Sequence, residues 1–178
     1  MTDQESLLAA IYEEVALHAH DASWPGRFNS ERDRLLFMFP AEFIEVQHIG
    51  STAVPGLRAK PIIDILAGVE SMVVAESLVE PLCCSGYTTS ADFNAAFSDR
   101  KWFMRWANGH RTHHLHVVVH GGDVWRQRLK FRDALRLQPQ LAARYEALKK
   151  DLAERHPEDR EAYTDAKSAF VRAVVGDA

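Results

Sequence analysis

Between Pro61 and Val69 the chain is apolar except at Asp64, and that one position restricts what the segment can be. Read as a strand, it places Ile62, Asp64 and Leu66 on one face and Ile63, Ile65, Ala67 and Val69 on the other. An ionised carboxylate in such a run needs a cation, a metal ion or several hydrogen-bond donors, because burying it unpaired is costly. Arg58 and Lys60, just upstream, offer an internal partner. The alternative is a ligand or metal site.

The preceding residues favour the second reading. Ile44 and Val46 alternate with Glu45 and Gln47, which predicts a strand over Glu42 to Gln47 with one face in a core. It runs into Gly50-Ser51, where glycine lets the backbone approach a ligand closely. Ser51 or Thr52 can then cap a short helix whose free N–H groups attract phosphate. An ordinary capped turn is built from the same residues.

Farther along, His114, His116 and His120 fall on one face of a predicted strand, and Leu115, Val117 and Val119 on the other. The spacing of His114 and His116 suits shared metal binding. With Asp64 from a neighbouring strand they would form a two-His, one-carboxylate set with positions open to a ligand's oxygens. Zn²⁺, Mn²⁺ or Fe²⁺ suits those donors better than Mg²⁺, which prefers oxygen, and the identity of the divalent ion stays open. A second reading has the same histidines contacting phosphate or doing acid–base work. His48 can join either arrangement, whereas His113 points away from His114. Lys60, Arg105 and Arg111 supply charge for a phosphate near these elements.

The Gly-Ser turn followed by a strand aspartate resembles the nucleotidyltransferase superfamily. Trp24-Pro25 with Phe28 and Glu31, His48 to Leu66, His113 to Val117, Phe131 to Arg136, and Tyr163 with Lys167 and Phe170 together resemble the GrpB family within it. The resemblance covers roughly residues 20 to 175. It implies a nucleotidyltransferase-like fold and no known substrate. Some GrpB-like domains are fused to dephospho-coenzyme A kinase. The family-like segment singles out Arg132 as a phosphate ligand, while Arg126, Arg128, Lys130 and Arg136 of the same predicted helix read as solvated surface or as partners for nearby acids. Lys167 reads as a structural residue or a phosphate ligand. Active superfamily members carry a second acid two positions after the first, and here that position is Leu66. One carboxylate cannot hold a pair of metal ions.

The 178 residues, 47% apolar, suit one domain over 1–178 with one substantial core. A net charge of −4 argues against non-specific binding to long nucleic acid. With no membrane-length apolar run and a polar start, the expected location is the cytoplasm. Adjacent Cys83 and Cys84 read as reduced and structural.

Helices are expected from Leu7, Leu8, Ile11 and Val15, around Phe28 to Phe39 after a turn over Asp21 to Gly26, and over Val73 to Leu82. Strands are expected at Tyr87 to Asp92 and Lys101 to Ala107, with Asn108-Gly109 turning into the histidine strand. Helices follow over Trp125 to Gln138 with Asp123 as N-cap, along the Leu141, Tyr145, Leu148, Leu152 stripe, and over Glu158 to Val175. The fold class is α/β of the α+β type: a small, mixed, twisted sheet of four or five strands packed by N- and C-terminal helices.

The function this implies is binding of a nucleotide or other phosphorylated small molecule, with divalent-metal-dependent transfer at Asp64, His114 and His116. The ligand would be held by His48, Gly50, Ser51, Thr52, Lys60, Arg111 and Arg132. The alternative is a non-catalytic phosphate-ligand or partner-binding module that lost its second carboxylate at Leu66.

Overall fold

The period-two segments meet in one mixed sheet in the computed structural model, which describes residues 1–14, 16–156 and 159–176. Its strands are β1 (Glu45–Ile49), β2 (Ile63–Val69), β3 (Thr88–Thr89), β4 (Lys101–Ala107) and β5 (His110–Val119), in the order β1-β2-β5-β4-β3. Among the described residues only β2 and β5 pair in parallel, with Asp64 opposite His114 and Leu66 opposite His116.

The two faces of β2 carry different loads. Ile63, Ile65, Ala67 and Val69 join Leu115, Val117 and Phe103 in the main core. That core is covered by Trp24, Phe28 and Leu35 of α2 (Trp24–Met38) and by Ala75, Leu78 and Leu82 around α3 (Met72–Ser77) and α4 (Val79–Cys83). On the other face Leu66, Ile49 and Val118 are covered by Trp125, Val124 and Leu129 of α6 (Asp123–Leu137). Asp64 lies on this second face, beyond the apolar patch.

Helix α7 (Pro139–Arg155) and helix α8 (Arg160–Val175) pack beside α6. Tyr145, Leu141 and Phe170 meet Phe131 and Leu135 of α6 and the loop residues Val54 and Leu57. Helix α1 (Asp3–Ile11), opened by a Thr2–Glu5 capping box, packs on β4 and β5, and its Ser6 hydroxyl accepts from Gly109 N at 2.8 Å. Asn108 and Gly109 take φ of 52° and 78°, so the hairpin turns as its sequence requires.

Several expected boundaries move for identifiable reasons. Trp24, Pro25 and Gly26 open α2 instead of forming a turn, since proline is tolerated in a helix's first turn. The Val73 to Leu82 helix breaks at Leu78 into α3 and α4, because Pro81 has no N–H to give the Ser77 carbonyl. The Tyr87 to Asp92 strand contracts to Thr88–Thr89, because the Ser90 hydroxyl accepts from Phe93 N and starts α5 (Ala91–Ala96). Gly122, not Asp123, occupies the N-cap of α6, with Asp123 in its first turn. Val15 and Glu158, placed in helices by periodicity, lie outside the described residues. Cys83 and Cys84 are free and exposed. Among the described residues no helix is long and apolar enough to cross a membrane.

Candidate functional site

The parallel pairing of β2 with β5 sets Asp64 beside two imidazoles. Asp64 Oδ1 lies 3.4 Å from His114 Nδ1 and 3.8 Å from His116 Nε2. Burial pushes the Asp64 pKa up, but the His114 and His116 imidazoles outweigh it and hold the carboxyl well below the usual range. Burial pushes the His116 imidazole down to about 4 against the pull of Asp64, so it is neutral at pH 7. Among the described residues its buried Nδ1 has no hydrogen-bond partner.

Gly50 makes room for this carboxylate. Its φ of 74° belongs to the left-handed region, and a Cβ there would stand 2.5 Å from Asp64 Oδ2. The next three residues, Ser51–Ala53, form one turn of 3₁₀ helix. The Ser51 hydroxyl accepts from Lys149 Nζ at 2.7 Å, and the same ammonium donates to the Arg58 carbonyl at 3.1 Å. A lysine of α7 therefore ties both ends of the loop between Gly50 and β2.

Thr52 and His48 turn the other way. His48 pairs with Ile65 across the sheet, stacks on Phe28 at 4.7 Å and hydrogen-bonds Thr52 Oγ1 at 2.8 Å, all on the α2 side. Burial pushes its pKa down to about 4. His113 also faces that side, near Glu31, Arg34 and Arg105, and burial lowers it to about 4. Neither residue joins the Asp64 cluster.

The cations sort differently from their sequence positions. Arg132 donates to Gln47 Oε1 at 2.8 Å and to the His48 carbonyl at 3.0 Å, and it pairs with Asp133. Its fork braces α6 against β1. Arg111 reaches His114 Nε2 at 3.5 Å with one nitrogen and donates to the Ala10 and Ile11 carbonyls with others. Lys60 and Lys167 both lie over the Tyr163 ring, at 5.8 Å and 5.0 Å.

Three cations of the C-terminal helices complete the site. Lys149 is 4% exposed; burial and the charges of Lys167 and Lys60 push its pKa down to about 8, although Glu146 and Asp64 pull it up. Burial likewise lowers Lys167, which feels the Asp64 charge. Burial and neighbouring Arg100 lower Arg128, which Asp64 also attracts. Among the described residues no hydrogen bond or ion pair engages Arg128 or Lys167, although both are half-buried and have lost part of their hydration. The sequence marks Arg128 only as solvated surface or a partner for a nearby acid and does not mark Lys149, because a helical pattern does not say which polar positions meet a neighbouring loop.

Both histidines approach the same carboxylate oxygen through different ring nitrogens, and Leu66, two positions after Asp64, is 0% exposed in an apolar cluster. Among the described residues no group of three His, Cys, Asp or Glu side chains is arranged to hold a metal ion. Asp64, His114 and His116 thus stand together on one face of the sheet, with the carboxylate between two imidazoles. A surface depression lies elsewhere, lined by Met72, Val73, Glu76, Ser77, Ser98 and Lys101.

The family model described as GrpB protein matches residues 14–176. The chain belongs to the GrpB family. It is 38% identical to the glutamate-rich protein GrpB of Alkalihalophilus pseudofirmus, over 92% of this chain and 95% of that one. It is 35% identical to the UPF0157 protein YqkA of Bacillus subtilis, covering 89% of this chain but only 45% of the relative. A dephospho-CoA kinase of Mycolicibacterium paratuberculosis matches at 30% identity, again over 44% of its length. Among solved structures, the conserved protein GrpB from Enterococcus faecalis superposes with a TM-score of 0.77 at 32% identity, over 90% of this chain and 94% of that one. The Cid1 poly(U) polymerase gives a TM-score of 0.51 at 13% identity, over 92% of this chain and 53% of that one. That likeness establishes a nucleotidyltransferase-like fold for the GrpB chain.

Proposed function

We propose that this GrpB-family protein binds a nucleotide or other phosphorylated small molecule at the Asp64 face, between the Gly50-Ser51 turn and helices α6 to α8. The observation that carries this reading is the state of Arg128 and Lys167. Two half-buried cations without hydrogen-bond partners among the described residues, beside buried Lys149, make a local cation surplus in a chain of net charge −4. Like charges brought together out of water repel, and a polyanion that accepts their hydrogen bonds relieves that cost. Asp64 offsets part of it and holds the ligand's charge toward the helices.

Calorimetry with inorganic tripolyphosphate and with adenosine triphosphate tests the proposal. Saturable binding is expected, weakened about tenfold or more by combining Arg128→Ala with Lys167→Ala, in keeping with the loss of two charge-assisted contacts. Binding is expected to persist in excess chelator, because the ligand is held by the chain's own cations. No binding of either compound, with or without divalent ions, would remove the proposal.

Whether the bound group is also transferred divides two readings. An ionised Asp64 between two imidazoles favours acid–base participation. Leu66, wholly buried where a second acid would stand, favours a binding module. Product analysis with Asp64→Asn separates them. Turnover abolished by the substitution supports transfer, and a product profile indifferent to it supports the module.

A further inference from the structure

We infer that the phosphorylated ligand carries a planar ring, and that the ring stacks on an aromatic platform built by β4 and α5; this rests on the phosphate-binding reading above. The platform starts at the site itself. Trp102 pairs with His116 across the sheet, and its ring lies edge-on to His114 at 5.4 Å, on the face that carries Asp64. Phe93 of α5 follows at 5.9 Å from Trp102, and Phe97 at 4.9 Å from Phe93. Three aromatic side chains thus lead outward from the imidazole that touches Asp64.

Seating α5 does not require those rings. Asn94 already fixes the helix to the sheet, donating to Thr89 Oγ1 at 2.8 Å and accepting from Trp102 N at 2.9 Å. Ser90 caps its start. Phe93 and Phe97 keep 38% and 37% of their surface in solvent, an apolar exposure beside a charged site that the helix's own anchoring leaves unexplained.

Charge joins the platform to the phosphate side. The Arg100 guanidinium lies 4.7 Å over Phe97, and its charge is felt by Arg128, which in turn feels Asp64. A ligand with its phosphates at Arg128 and Lys167 therefore presents its other end toward Trp102 and Phe93. Stacking accepts any flat π-system, so the platform selects for a ring without naming a base.

The test compares adenosine triphosphate with inorganic tripolyphosphate on the full chain, using Phe93→Ala and Phe97→Ala separately. Adenosine triphosphate is expected to bind about tenfold more tightly, and each substitution to remove most of that advantage while leaving tripolyphosphate unchanged. Trp102→Phe supplies a second readout, since quenching of tryptophan fluorescence by the nucleotide should fall sharply in that variant. Equal binding of the two compounds, or a preference untouched by both phenylalanine substitutions, would overturn the inference and leave the phosphate site intact. Failure of both compounds to bind would instead overturn the function on which it rests.

Discussion

Gly50 is where backbone conformation and charge placement meet. An alanine there must adopt a left-handed φ and place its Cβ 2.5 Å from Asp64 Oδ2, with the Asp64 Cβ only 3.0 Å away. The Asp64 carboxylate would have to turn out of its place between the imidazoles, and the left-handed φ would stay strained even then. Gly50→Ala should therefore destabilise the protein by at least about 2 kcal/mol, measured by urea unfolding. A near-neutral result would mean that the turn adjusts freely.

Lys149 makes a second prediction at the same scale. Its pKa of about 8 means that its charge is lost as pH rises through that value, so tripolyphosphate affinity should fall between pH 7 and pH 9. Lys149→Met should lower affinity at pH 7 and flatten that pH profile, as titration calorimetry at several pH values would detect. A wild-type profile flat across this range would exclude Lys149 from binding.

Individual residues were unequally legible in the sequence. The conjunction of Asp64, His114 and His116 follows from period two, because alternate side chains share a face and the apolar partners identify the other one. Lys149 and Arg128 do not stand out, and Lys167 reads as either a structural residue or a phosphate ligand. Helical periodicity separates an apolar stripe from a polar remainder, and which polar residues meet the Ser51 loop depends on how α6 to α8 are laid across the sheet.

At the level of elements, long apolar alternation was sufficient for β2, β4 and β5, whereas local hydrogen bonds decided the short pieces. Ser90 ends β3 by capping α5, and Pro81 interrupts the helix that hydrophobic periodicity runs through. Arg132 shows the same limit. Its place in a family-like segment suggested a ligand contact, yet its guanidinium spans from α6 to the Gln47 side chain and the His48 carbonyl of edge strand β1. Arg132→Leu should cost about 1–3 kcal/mol by leaving those acceptors unsatisfied. Tripolyphosphate affinity should change less than twofold in the folded variant. A large affinity loss with unchanged stability would return Arg132 to the ligand site.

Across the whole molecule, both sheet faces bury imidazoles, so folding and pH are coupled through more than the Asp64 site. His48 and His113 sit on the α2 side and His116 beside Asp64, each pushed by burial from 6.5 to about 4. Between those values the unfolded chain binds protons that the folded chain does not, so stability falls as pH drops from about 6.5 to 4. Asp64 and Glu31, both held below the ordinary carboxylate range, extend the loss to lower pH, since they too are protonated more readily when unfolded. Calorimetric Tm should drop by more than about 5 °C between pH 7 and pH 5. His113→Asn, remote from the Asp64 face, should reduce that drop without altering phosphate binding at pH 7. A Tm independent of pH across this range would show that the buried imidazoles are protonated as easily in the fold as in the open chain.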